Sequence, residues 1–132
     1  ETEFAVLEIG MSTPGEIAPR SHMVQPHVAV ITKIAPAHLE GVGSIEGVAK
    51  EKADIAAGLI QPGGAVCLPC GDDMLPILVE RVRAMKPAAE IHAFGREGDK
   101  ARADALEIQL SSIIGSCAPG EGRSVVTLRT LG

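Results

Sequence analysis

Aromatic side chains are nearly absent from this sequence: of its 132 residues, two are Phe and none is Trp or Tyr. Proteins that bind nucleic acids stack bases on aromatic rings and neutralise phosphates with clustered Lys and Arg. This chain instead has a net charge of −5 and no basic block. It also has no apolar run long enough to cross a bilayer. The composition therefore argues against nucleic acid as a partner and against membrane insertion.

Cysteine is also scarce, with three residues in the chain. An odd, sparse set does not form the disulfide framework of a small secreted domain, so a cytoplasmic protein is expected. Cys67-Leu-Pro-Cys70 has the spacing of a redox or zinc motif, but Cys67 falls inside a predicted strand and no second ligand pair has zinc-site spacing. Buried structural thiols are the favoured interpretation, and a redox pair is the alternative.

Alternating apolar runs and helical patterns predict the fold class. The predicted strands cover residues 4–10, 27–34, 65–68 and 90–94, and the predicted helices cover 15–24, 44–59 and 72–85. Residues 106–110 and 124–129 alternate between polar and apolar around a Pro-Gly turn, which predicts a β-hairpin. We expect an α/β fold in one domain over residues 1–132: a mostly parallel sheet flanked by helices, with a C-terminal antiparallel hairpin. Residues 95–100 are a candidate linker.

Two side chains with metal-binding chemistry follow the first two predicted strands. Glu8 lies at the end of the first strand, and His38 lies in a polar loop after the second. Ligands of parallel α/β sheets bind outside the carboxyl ends of the strands, where a carboxylate and an imidazole can together hold a divalent cation. The alternative is that Glu8 bonds the start of a nearby helix and His38 is an ordinary loop histidine.

Lys52 interrupts the apolar stripe of the helix predicted over residues 44–59, while Lys50 and Asp54 are expected to point to solvent. The stripe consists of Ile45, Val48, Ala49, Ile55, Ala56 and Leu59. A lysine on the core-facing side is costly unless its tip reaches water or meets an anion, and a desolvated amine is available for covalent chemistry. A snorkelling lysine and a reactive lysine both fit this position.

Two segments of the chain resemble the Mur ligases. They are Val6-Leu-Glu-Ile-Gly10 followed by Pro14-Gly-Glu-Ile17, and Ile34-Ala-Pro-Ala-His-Leu-Glu-Gly-Val-Gly-Ser44 followed by Glu46-Gly-Val-Ala-Lys-Glu-Lys-Ala-Asp-Ile55. The sequence match is dense over residues 4–74. Beyond that stretch, the resemblance rests on the order of the predicted strands and helices. The resemblance implies most of the central, ATP-binding domain of a three-domain enzyme, with a P-loop/Rossmann-like sheet. The phosphate loop is expected upstream of the chain, and the end of the domain is expected after it.

The resemblance also implies an activity and a site. Mur ligases are ATP-dependent carboxylate–amine ligases of peptidoglycan precursor synthesis, and the best-fitting branch joins D-alanyl-D-alanine to UDP-MurNAc-tripeptide through an acyl phosphate. Glu8 and His38 match the family's Mg²⁺ ligands, and Lys52 matches the catalytic lysine whose carbamate also binds the metal. Asp72 and Asp73 stand near the segment where the family has an adenine-binding Asn-Ala-Asp, but they are equally typical of helix caps.

Two other hypotheses remain open. In the first, the chain is part of another Mur or folylpolyglutamate-type ligase. In the second, it is a non-catalytic α/β scaffold that lacks a phosphate loop. A monomer is expected for the ligase. Lys33 departs from the Asn that the Mur ligases commonly have at its position.

Overall fold

The computed structural model of the protein describes residues 3–36, 39–60, 64–114, 118–120, 123–125 and 128–130. The strands are β1 (Val28–Val30), β2 (Ala65–Pro69), β3 (Glu90–Gly95), β4 (Gln109–Ile114), β5 (Ala118–Gly120), β6 (Arg123–Val125) and β7 (Leu128–Thr130). The helices are α1 (Ile17–Val24), α2 (Leu39–Val42), α3 (Ile45–Ala53), α4 (Leu75–Met85) and α5 (Lys100–Ala105), with 3-10 helices at Asp54–Gly58 and Glu97–Asp99.

The main sheet has the strand order β1-β2-β3-β4-β7. The first four strands run parallel to their neighbours, and β7 pairs antiparallel with β4. A helix lies between successive parallel strands, as parallel pairing requires a crossover connection. The strands β5 and β6 form a separate antiparallel pair. The predicted α/β class is therefore confirmed, with an antiparallel extension at the C-terminal end.

The hydrophobic core is centred on β2 and α4. Val66 and Leu68 of β2 and Leu75, Leu78 and Val82 of α4 are fully buried. Each such side chain stabilises the fold by roughly 1.5–3 kcal/mol relative to an exposed position. The parallel strands and their helices therefore form a packed scaffold that holds the loops at the carboxyl ends of the strands.

A close backbone contact joins α1 to the 3-10 helix at Asp54–Gly58. Ser21 of α1 is completely buried, its Oγ donates to the Ile55 carbonyl oxygen, and the same Oγ accepts a hydrogen bond from Gly58 N at 3.2 Å. A β-carbon on residue 58 would overlap the Ser21 carbonyl group. The contact therefore requires glycine at position 58.

The strand predicted over residues 4–10 is wrong for this structure. These residues are not in a strand, and Phe4 and Val6 are 86% and 99% exposed. A strand requires a hydrogen-bonded neighbour, and among the described residues none pairs with the outer side of β1, where Val28 and Val30 are half exposed. The apolar run therefore lacks the neighbours that would bury both of its faces.

Other element boundaries differ from the predictions in smaller ways. The helix predicted over 44–59 is α3 continued by a 3-10 helix, and the polar loop after β1 contains α2. The candidate linker at 95–100 instead leads through a 3-10 helix into α5. Asp54, expected to point to solvent, is bound by Arg81 through two hydrogen bonds of 2.7 and 3.1 Å. Within the described ranges, no helix is long and apolar enough to span a membrane.

Candidate functional site

The candidate site lies at the carboxyl ends of the parallel strands, where α/β sheets bind their ligands. Residues 31–36 follow β1, residues 70–74 follow β2, and residues 96–99 follow β3. The first two segments are joined, because Asp72 Oδ2 accepts a hydrogen bond of 2.9 Å from Ile34 N. This hydrogen bond holds the loops that follow β1 and β2 together at this edge of the sheet.

Lys52 reaches this edge from α3. Ser44 begins the helix by accepting a hydrogen bond of 3.1 Å from Gly47 N, and the core-facing residues Val48 and Ala49 are fully buried. Lys52 follows on the same side, is half-buried, and its Nζ donates to the Lys33 carbonyl oxygen at 3.2 Å. The amine therefore lies beside the backbone that leaves β1. Its catalytic role stays a prediction.

The other two predicted metal ligands are not brought together with Lys52. His38 lies outside the described residues. Glu8 is exposed and lines an open cleft of about 350 Å³ that it shares with Arg20, Met23 and Val24 of α1. In the part of the chain that the structure describes, no group of three or more His, Cys, Asp or Glu residues could hold a metal ion. The metal site therefore stays a prediction.

The turn between the Glu8 segment and α1 is held by Glu16. Its Oε2 accepts hydrogen bonds from Ser12 N at 2.8 Å and Thr13 N at 3.4 Å, and pairs with Arg20 at 3.2 Å. The hydrogen bonds from Ser12 and Thr13 hold the pKa of the Glu16 carboxyl below its ordinary value, with a smaller effect from Arg20. Arg20 also donates to the Gly10 carbonyl oxygen, which ties the residues after Glu8 to α1.

Glu51 is a buried carboxylate that the sequence interpretation missed. It is 9% exposed, and its Oε1 accepts hydrogen bonds from Gly15 N at 2.8 Å and Ile17 N at 3.3 Å. The amides at a helix N-terminus lack partners within the helix, so a carboxylate there is favourable. The sequence does contain a signal for this burial. Glu51 lies three residues after Val48, and this helical spacing places it close to the buried stripe.

Asp72 and Asp73 differ in their surroundings. Both carboxylate oxygens of Asp72 accept backbone hydrogen bonds of 2.9 Å, one from Ile34 N and the other from Met74 N just before α4. Asp73 is largely exposed and pairs with Arg102 at 3.3 Å. Asp72 therefore holds the turn that precedes α4 and joins it to the loop after β1, whereas Met74 is the N-cap of α4 and has no side-chain cap. A contact of either residue with adenine stays a prediction.

The two described cysteines have the environment of structural thiols. Cys67 lies in β2, Cys70 is fully buried with its Sγ 3.3 Å from the Asp99 carbonyl oxygen, and no disulfide joins them. Burial raises the pKa of both thiols, and the nearby Asp99 raises the pKa of Cys70 further. Fewer reactive thiolates are therefore present at neutral pH than in free cysteine.

We expect Cys67 and Cys70 to react with iodoacetamide more slowly in the folded protein at pH 7.5 than in urea, and faster as the pH rises toward their raised pKa values. Peptide-resolved mass spectrometry measures both rates. Formation of a reversible Cys67–Cys70 disulfide that changes activity would instead support the redox alternative.

Comparisons with known proteins extend the interpretation of this site. A sequence model of the Mur ligase middle domain matches residues 1–132. The chain is 41% identical over 75 residues to the UDP-N-acetylmuramoyl-tripeptide–D-alanyl-D-alanine ligase of Escherichia coli K12, covering 57% of this chain and 17% of that protein. It is 46% identical over 74 residues to the ligase of the same name from Bacillus subtilis 168, covering 56% and 16%.

A solved structure is also similar to this chain. It is the crystal structure of MurF from Acinetobacter baumannii, with a TM-score of 0.60 and 34% sequence identity. The similarity covers 67% of this chain and 18% of that one. The chain thus spans less than a fifth of the length of each of these proteins.

Proposed function

This chain belongs to the Mur ligase family through its middle domain, and from that premise we propose that it is part of an ATP-dependent ligase that adds D-alanyl-D-alanine to UDP-MurNAc-tripeptide. The names of its relatives in Escherichia coli and Bacillus subtilis support this substrate pair. The observation that carries the proposal is the position of Lys52, whose amine lies 3.2 Å from the Lys33 carbonyl oxygen at the carboxyl edge of the sheet.

The proposed reaction has two steps. ATP phosphorylates the terminal carboxylate of the peptide to an acyl phosphate and leaves ADP. The amine of D-alanyl-D-alanine then attacks the acyl carbon, and the tetrahedral intermediate expels phosphate to leave the amide. In phosphoryl transfer most of the acceleration comes from positioning and charge stabilisation. The proposed role of this domain is therefore to hold charged groups at fixed places along the carboxyl edge of the sheet.

The donor types of the predicted ligands suit Mg²⁺, although the described residues form no assembled metal site. Glu8 is an exposed carboxylate beside an open cleft, and Lys52 provides an amine at the carboxyl edge of the sheet. The neutral amine forms an N–C bond to carbon dioxide and releases one proton, which leaves a carbamate with carboxylate-like oxygens. Glu8, the Lys52 carbamate and His38 would hold the ion through the oxygen and imidazole donors that Mg²⁺ accepts. A bound Mg²⁺ supplies positive charge that stabilises the transferring phosphoryl group.

The proposal is tested on the whole protein, meaning the natural-length polypeptide that contains this chain. Phosphate release is measured with ATP, Mg²⁺, UDP-MurNAc-tripeptide and D-alanyl-D-alanine, and each component is omitted in turn. Release that requires all four supports the proposal. Release with a folate in place of UDP-MurNAc-tripeptide, or with a single amino acid in place of the dipeptide, favours another ligase of the superfamily. Absence of release with any substrate, while the protein remains folded, favours the scaffold hypothesis.

We also predict that residues 1–132 alone have no ligase activity and bind ATP weakly, because the phosphate-binding sequence Gly-x-x-x-x-Gly-Lys-Ser/Thr does not occur in them. Isothermal titration with ATP and the phosphate-release assay measure both properties. Ligation by this stretch alone would contradict the prediction.

A further inference from the structure

Side-chain hydrogen bonds, linked by a short stretch of backbone, connect α3 to the segment that carries Glu8. Glu51 of α3 accepts from Gly15 N and Ile17 N, next to Glu16. Glu16 binds the turn at Ser12 and Thr13 and pairs with Arg20. Arg20 donates to the carbonyl oxygen of Gly10, two residues after Glu8. The helix that carries Lys52 and the segment that carries Glu8 are therefore joined through side chains, although the Glu8 segment is not part of the sheet.

The geometry of Glu51 suits it to hold this connection. The carboxylate is 9% exposed, and one oxygen receives both amide hydrogens. Gly15 has a φ of +86°, a left-handed conformation that presents its N–H together with that of Ile17 to a single acceptor. Arg81, which is bound to Asp54, lies close enough to interact electrostatically with Glu51. The buried carboxylate thus has hydrogen-bond partners in the turn before α1 and at its first residue.

We propose that Glu51 is a positioning residue of the predicted metal site, an inference that rests on the proposed function. Glu51 is adjacent to Lys52 in the chain and binds the turn before α1. It therefore sets where the Glu8 segment lies relative to the Lys52 amine. Glu51 has no direct part in ligand binding or in the chemical steps.

Substitutions at Glu51 distinguish the positioning role from a general contribution to the stability of the fold. Glu51→Ala removes the carboxylate acceptor. Glu51→Asp shortens the side chain by one methylene and moves the carboxylate away from the two amides. Glu51→Gln keeps an amide oxygen that accepts both hydrogen bonds. Glu46→Ala is the matched control, because it removes an exposed carboxylate from the first turn of the same helix. If Glu51→Ala does not fold, Glu51→Asp provides the test.

The first measurement is hydrogen exchange of the Gly15 and Ile17 amides in the metal-free whole protein. Both amides are expected to exchange faster in Glu51→Ala, at an intermediate rate in Glu51→Asp, and at the unmodified rate in Glu51→Gln and Glu46→Ala. Unchanged protection in Glu51→Ala would overturn the proposal, since the tether would then have no effect on the turn.

The second measurement is the ¹³C NMR signal of the Lys52 carbamate, formed from labelled bicarbonate and titrated with Mg²⁺. Loss of groups that orient metal ligands typically weakens metal binding by about 10–100-fold. The Mg²⁺ concentration for half-maximal signal is therefore expected to rise at least about tenfold in Glu51→Ala and to stay unchanged in Glu51→Gln and Glu46→Ala. An unchanged half-maximal concentration in Glu51→Ala, with a signal in the unmodified protein, would overturn the positioning role alone. No carbamate signal in the unmodified protein would overturn the proposed site itself.

Discussion

Replacement of Lys52 by alanine is expected to lower kcat/KM for ligation by the whole protein by roughly a thousandfold. The variant removes the amine that lies 3.2 Å from the Lys33 carbonyl oxygen, and with it the proposed carbamate. Charge stabilisation by a bound cation contributes several kcal/mol to a transition state, and each 1.4 kcal/mol corresponds to about a tenfold change in rate. The steady-state rate of phosphate release measures this effect.

Added formate or acetate is expected to restore part of the activity of Lys52→Ala, because a small carboxylate occupies the vacated space with the same charge as a carbamate. The matched control is Lys50→Ala, two residues earlier on the exposed side of the same helix, which is expected to keep the original rate. Full activity of Lys52→Ala without added carboxylate would contradict the assignment. An equal loss in Lys50→Ala would show a general effect on α3 instead.

Gly58→Ala is expected to destabilise the domain by about 3 kcal/mol or more, because overpacking against backbone forces the packed elements apart. The added β-carbon would overlap the Ser21 carbonyl group and lie 2.5 Å from His22 N. The variant would therefore separate α1 from the 3-10 helix and break the hydrogen bonds of the buried Ser21. Pulse proteolysis in urea measures the loss in the whole protein, and it suits a domain without Trp or Tyr fluorescence.

Gly98→Ala is the matched control for Gly58→Ala. A β-carbon on Gly98 has no heavy atom within 4 Å, so the free energy of unfolding is expected to change by no more than about 0.5 kcal/mol. Equal stability of the two variants would contradict the close contact between α1 and the 3-10 helix.

Local sequence signals predicted the elements whose causes are local. Ser44 was recognised as the start of the helix that carries Lys52, and its side chain accepts the Gly47 amide as an N-cap does. Asp72, a candidate cap, instead holds the turn before α4 by accepting the Met74 amide, and Met74 itself is the N-cap residue. The strand predicted over residues 65–68 is β2, an interior parallel strand whose Val66 and Leu68 are fully buried and whose Ala65 and Cys67 are partly buried.

Features that depend on distant residues were missed. Residues 4–10 have the composition of a buried strand, but strand formation depends on a neighbouring strand, which the described part of the chain does not provide beyond β1. The burial of Glu51 depends on amides 34 and 36 residues earlier in the chain. The sequence shows which side of the helix Glu51 lies on, but it does not show which amides bind its carboxylate. The sequence therefore identified the candidate residues but not the network that places them.

The most direct test of the central claim is a crystal structure of the whole protein with ATP and Mn²⁺, whose anomalous scattering locates the metal. The account predicts Mn²⁺ at the carboxyl edge of the sheet, about 2 Å from ligand atoms of Glu8, His38 and a carbamate on Lys52. An unmodified Lys52 amine still bound to the Lys33 carbonyl oxygen, with the metal held by other residues, would contradict it.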